Sequence, residues 1–113
     1  MAQQHSHALI DCINAEQDRV IARKLRRHPR VLRLAQANLR RWSARDGKRV
    51  RPVFAEWKRI LYYLNRSEIA DFLVSETPMC RRLRQSSPFA GALSEAEVSK
   101  IRRNMVVEEL ASR

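Results

Sequence analysis

Chemistry by side-chain groups would have to start from very few residues in this chain. His5, His7 and His28 are the only histidines. A nucleophilic scheme needs a Ser or Cys beside a base that a third group orients, and no histidine here has such a motif neighbour. His5-x-His7 has a spacing that two metal ligands use, but no third or fourth ligand lies in range, so no metal site is expected. The carboxylates open to acid–base work, Asp71, Glu76, Glu95, Glu97, Glu108 and Glu109, all fall where helix caps or solvent-face charges belong. Two glycines in 113 residues leave no glycine-rich loop to cradle a phosphate. Cys12 and Cys80 form no Cys-x-x-Cys pair and are expected as small core or half-buried thiols, not as a disulfide framework. These residues predict a protein that binds, with no catalytic residue and no cofactor.

The binding chemistry is cationic. The formal net charge is +11, and it is polarised along the chain. Residues 1–18 hold Asp11, Glu16 and Asp18 and no Lys or Arg. Residues 19–66 hold sixteen Lys or Arg against Asp46 and Glu56, a net of +14. Residues 67–113 hold seven charges of each sign. A field this concentrated steers polyanions. The partners it predicts are double-stranded DNA and an acidic protein.

Two groups of residues are placed at such a partner. Arg19, Arg23, Arg26 and Arg27 stand at i, i+4, i+7 and i+8, one stripe of a helix, and suit an acidic protein. Ser67 to Gln85 reads as helix, turn and helix, with Ile69, Ala70, Leu73, Cys80 and Leu83 inward, and resembles the helix-turn-helix of bacterial repressors. It departs from that pattern where Val74 stands in place of the usual Gly and Ser75 in place of an apolar residue. On this reading Thr77, Met79, Arg81, Arg82 and Gln85 face base edges, while Arg84 and the connector Lys48, Arg49 and Arg51 sit on phosphates.

The elements that must hold these groups are helices. Few breakers and an apolar share of 44% argue for a single all-α domain over 1–113, a compact bundle of four longer and two short helices. Leu9, Ile10, Ile13, Val20, Ile21 and Leu25 set a helical period over about 6–27. Pro29, Pro52 and Pro78 suit the first turns of later helices, where a missing N–H costs nothing. Asp46-Gly47 stops the second helix, and Asn65 or Arg66 stops the third. Leu32, Ala35, Leu39 and Trp42, then Phe54, Trp57, Ile60, Leu61 and Leu64, form the inward faces. Ser67 and Thr77 are expected N-caps. Phe89 should anchor the connector 85–91. Ser94 with Glu97 is a capping box opening a last helix whose stripe is Val98, Ile101, Met105, Val106 and Leu110. The start Met-Ala-Gln-Gln-His-Ser-His lacks the basic and apolar regions of a signal peptide, and no apolar run spans a membrane, so a cytoplasmic protein is expected.

The run Arg82-Leu83-Arg84-Gln85-Ser86-Ser87-Pro88-Phe89-Ala90-Gly91-Ala92-Leu93, followed by Ser-Glu-Ala-Glu, resembles a group of small uncharacterised bacterial proteins of antitoxin type. So does Ala37-Asn38-Leu39-Arg40-Arg41-Trp42. The likeness spans roughly 28–103 and is densest over 82–97. It implies a helical protein that neutralises a cognate toxin encoded beside it and binds its own operator, with a homodimer compatible with that role. Two other readings fit the same residues. One is a stand-alone helix-turn-helix transcription regulator. The other is a phage-type inhibitor of a host nuclease, which ranks last because a basic inhibitor repels a basic nucleic-acid channel.

Overall fold

A computed structural model describes residues 2–112, with side chains from His7 onward. The His5 side chain therefore lies outside the described residues. Six helices follow one another: α1 (Ala2–Arg27), α2 (Pro29–Asp46), α3 (Pro52–Tyr63), α4 (Arg66–Val74), α5 (Pro78–Arg84) and α6 (Glu95–Ala111). No strand occurs among the described residues.

Local signals account for most of the helix boundaries. Pro29, Pro52 and Pro78 each stand in the first turn of a helix. Gly47 closes α2 at a φ of 63°, a left-handed conformation that glycine adopts without strain. Thr77 caps α5, its hydroxyl accepting from the Cys80 N–H at 3.3 Å. At α6 the Ser94 hydroxyl accepts from the Glu97 N–H at 3.1 Å, and Glu97 accepts from the Ser94 N–H at 2.9 Å. The cap of α4 is Asn65, not Ser67. The Asn65 side chain accepts from the Glu68 N–H at 2.9 Å, and Glu68 reaches back to the Asn65 N–H at 3.0 Å. Asn65 has a Glu three residues on, as a capping box requires, whereas Ser67 has Ala70 there. This earlier start also ends α3 at Tyr63.

α1 is the central element and packs on α2, α4 and α6. Its C-terminal half supplies Ile21, Ala22 and Leu25 to a core shared with Val31, Ala35 and Leu39 of α2 and Phe54, Trp57 and Leu61 of α3. Ile69, Ala70 and Leu73 of α4, Leu83 of α5 and Phe89 of the connector complete it. Trp57 is wholly buried, with Phe72 and Phe89 edge-on to it at 5.7 and 6.2 Å. Its indole N–H donates to the Leu83 carbonyl at 2.9 Å, which ties α5 to α3. Trp42 is only half-buried.

The core ends short of the helices. Residues 7–20 of α1 and 102–112 of α6 contain no buried residue. α1 and α6 pack on each other, with Lys24 paired to Glu97 at 2.5 Å where α6 begins and a groove lined by Glu16, Val20, Asn104, Met105 and Glu108 beyond. The radius of gyration, 15.3 Å, exceeds the roughly 13 Å of a compact chain this long for that reason. Ile10, Val106 and Leu110, expected on inward faces, are exposed because nothing further packs on this pair of helices. Cys12, expected in the core or half-buried, is exposed for the same reason, while Cys80 is buried; both are free thiols.

Candidate nucleic-acid interface

The three groups of basic residues singled out from the sequence meet different fates once the helices pack. α5 carries the proposed base readers. Arg81 donates from Nε to Glu76 at 3.0 Å. Arg82 forks onto Glu56 of α3, with Nη1 and Nη2 at 3.2 and 2.7 Å from its two carboxylate oxygens. These bonds hold the carboxyls of Glu76 and Glu56 below their usual range and raise the Arg82 pKa further. Both arginines are exposed, and ion pairs open to water are weak, so a phosphate can compete for the arginine. The Thr77 hydroxyl is spent on capping, whereas Gln85 and Met79 are open to solvent.

Arg84, expected on a phosphate, points inward. Its side chain is only 13% exposed, 3.5 Å from Asp18 and 3.8 Å from Glu76, and it donates to the Ser75 carbonyl. Burial drives the Asp18 pKa up to about 6 even though Arg84 and Arg19 pull it down. This cluster borders an open cleft of about 770 Å³ between α1, α5 and the 85–93 connector. With Asp11, Asp18 and Glu76 facing Arg81 and Arg84, the cleft has no dominant sign of charge.

The α1 stripe is divided. Arg19 pairs with Glu16 at 2.9 Å and Arg23 approaches the same carboxylate at 3.8 Å. Arg26 turns to α4, binding Asp71 and donating to the Ser67 hydroxyl at 2.8 Å. Arg27 is exposed. In the connector, Lys48 and Arg49 are exposed. Arg51 leans on Asp46 at 3.5 Å, with its guanidinium 5.2 Å from the centre of the Phe54 ring.

A row of uncompensated cations lies on α2, in residues given no role by sequence reasoning. Arg30, Arg33, Arg40, Arg41 and Arg45 are all exposed. At 100° per residue they fall within one face, spread over about 22 Å of axis. The helix contains no Glu, and its only Asp is Asp46 at the C-terminal end. Arg41 donates to the Asn38 side-chain oxygen; among the described residues the other four pair with no carboxylate. The signal was present in the sequence as arginines at i, i+3, i+10, i+11 and i+15 in an acid-poor helix. What it lacked was the knowledge of which carboxylates the fold brings within reach.

The exposed positions of α3, beside α2, continue the same character. Arg51, Pro52, Ala55, Lys58, Arg59, Tyr62 and Tyr63 are exposed, and its single carboxylate, Glu56, is half-buried beneath Arg82. No group of three His, Cys, Asp or Glu side chains suited to a metal ion occurs among the described residues. No described helix is long and apolar enough to cross a membrane.

Residues 37–42 and the 85–93 connector meet in space. The Asn38 amide donates to the Pro88 and Ala90 carbonyls at 2.8 and 2.9 Å, so the 85–93 connector is pinned to the inner side of the arginine-bearing helix. Comparison with protein-family models, curated proteins and solved structures returns no match, so the arrangement of these side chains is what bears on function.

Proposed function

We propose that this chain is a non-catalytic nucleic-acid-binding protein that holds a phosphodiester backbone against the basic face of α2 and α3. One observation carries the reading: five exposed arginines lie along one face of α2, and none of them has a carboxylate partner among the described residues. Like charges at this density repel and weaken the fold, and a polyanion relieves that repulsion. Arginine forks fit phosphate oxygens in pairs.

Fluorescence anisotropy with a random-sequence duplex tests the proposal. Neutralising five phosphates gives a salt slope of about −4.5, so affinity should fall about 500-fold between roughly 50 and 200 mM salt. Absence of binding at the lower salt to this duplex and to a single strand alike would remove the proposal. Reading of base edges by α5 would require Arg81 to leave Glu76 and Arg82 to leave Glu56, which makes backbone binding by α2 the primary mode.

A second reading is the antitoxin-type role implied by the resemblance over 82–97, in which an acidic toxin is neutralised. Exposed Ile10, Val107 and Leu110 favour it, because a protein partner buries apolar side chains that a phosphate backbone leaves wet. Rescue of growth from a toxic acidic protein encoded beside this chain supports that role, and failure of rescue counts against it.

A further inference from the structure

Tyr62 and Tyr63 are consecutive, and they are 81% and 76% exposed at the C-terminal end of α3. Large aromatic side chains are usually drawn into the core, and this chain does bury Trp57 and Phe89. The two tyrosine rings meet edge to face, with centroids 4.9 Å apart and planes at 79°. Each ring therefore keeps a face open to solvent, and the two open faces stand nearly perpendicular.

The charges one turn before the rings, on α3 itself, share one sign. Lys58 lies one turn before Tyr62, and Arg59 one turn before Tyr63, on the same face of α3. Three residues past Tyr63, Arg66 donates to the Leu25 and Arg26 carbonyls at 3.1 and 3.2 Å. Arg66 opens α4, so that bond sets the start of α4 against the end of α1, where exposed Arg27 and Arg30 lead into the α2 face. The tyrosine step is thus continuous with the basic surface.

We propose that Tyr62 and Tyr63 form a stacking platform for unpaired bases of a single-stranded nucleic acid whose phosphates run over Lys58, Arg59 and the adjoining arginines of α1 and α2. The proposal rests on the nucleic-acid reading and specifies the form of its ligand. Bases in a duplex present only their edges, so two exposed ring faces gain nothing from it. An unpaired strand offers a base face at every nucleotide, and stacking on an aromatic ring adds affinity with little sequence preference. A lipid surface is the weaker match, because the exposed Ile10, Val107 and Leu110 that would insert lie on α1 and α6, away from this step.

The test compares oligothymidylate and oligouridylate of about a dozen nucleotides with a duplex of equal length, over one shared series of salt concentrations. Tyr62→Ala/Tyr63→Ala should lose about 5- to 150-fold in affinity for both strands per base that stacks, and keep duplex affinity within about two-fold. Tyr62→Phe/Tyr63→Phe, which keeps the rings, should bind strands as the parent does. Lys58→Ala/Arg59→Ala should instead flatten the salt slope on strands by about 1.4. Unchanged strand binding by the alanine variant, or an equal loss on strand and duplex, overturns the stacking platform while backbone binding stands. Parent protein that binds anionic vesicles but no oligonucleotide overturns it as well. Parent protein that binds neither strand nor duplex removes the nucleic-acid reading itself. Both rings are exposed, so an unchanged thermal melt of the variants separates binding from folding.

Discussion

Replacing Asn38 should cost this fold more than replacing any of the exposed arginines, and the reason is geometric. Asn38 is 1% exposed on the inner side of α2. Its amide gives both hydrogens to the Pro88 and Ala90 carbonyls, at 2.8 and 2.9 Å, and its oxygen accepts from Arg41. Asn38→Ala leaves those two carbonyls without this donor. An unsatisfied buried acceptor costs about 1–3 kcal/mol. Pro88 is fully buried and Ala90 is exposed, so the first carbonyl bears most of the penalty and water can relieve the second. The sum comes to about 2–4 kcal/mol, a fall in Tm of roughly 10–20 °C for a domain of this size. Asn38→Asp should be worse at neutral pH, because a carboxylate then faces two carbonyls as acceptor against acceptor. Urea unfolding followed by circular dichroism measures both variants. Tryptophan emission adds a local readout, since Phe89 in the pinned connector packs against the Trp57 ring. If Asn38→Ala unfolds within about 0.5 kcal/mol of the parent, the amide does not hold the connector and the energetic reasoning fails.

Other consequences follow from the same structure. The Ser43 hydroxyl is buried with no hydrogen-bond partner, so Ser43→Ala should raise stability by about 1 kcal/mol in urea unfolding, aided by the better helix propensity of Ala; a destabilised variant would mean that the hydroxyl is satisfied. Asp18 has its pKa raised to about 6 by burial. The folded state therefore binds the extra proton, and stability should rise as pH falls from about 7.5 to 5, by about 1 kcal/mol after allowance for residual exposure. Asp18→Asn should flatten that profile. Below about pH 4.5 the trend reverses, since the carboxyls of Glu56, Glu76 and Glu97 are lowered by their partners and lose those pairs on protonation. Arg33→Ala/Arg40→Ala should reduce the duplex salt slope by about 1.8 and leave the melt unchanged; an unchanged slope would exclude α2 from the phosphate contacts.

The all-helical architecture and most element boundaries were legible in the residues themselves, because the interactions that make them span three or four positions. Pro29, Pro52 and Pro78 start helices by their own ring geometry, and Ser94 with Glu97 closes a capping box within one turn. The anchoring of Phe89 was legible too, as a large apolar residue in a polar connector that ends 2% exposed. The candidate interface was legible only as a charge imbalance. Which arginines stay free depends on carboxylates far away in the chain. Arg82 meets Glu56 across 26 positions, Arg26 meets Asp71 across 45, and Asn38 reaches Pro88 across 50. Arg84 is drawn inward to Asp18 because the connector and α5 close over α1. The helical period placed Trp57 inward, but the sequence pattern alone does not say that α2 keeps its arginines without counter-charges, or that nothing covers Tyr62 and Tyr63. Helix packing decides both, because it sets which face of each helix gains from leaving water and which cations find a counter-charge.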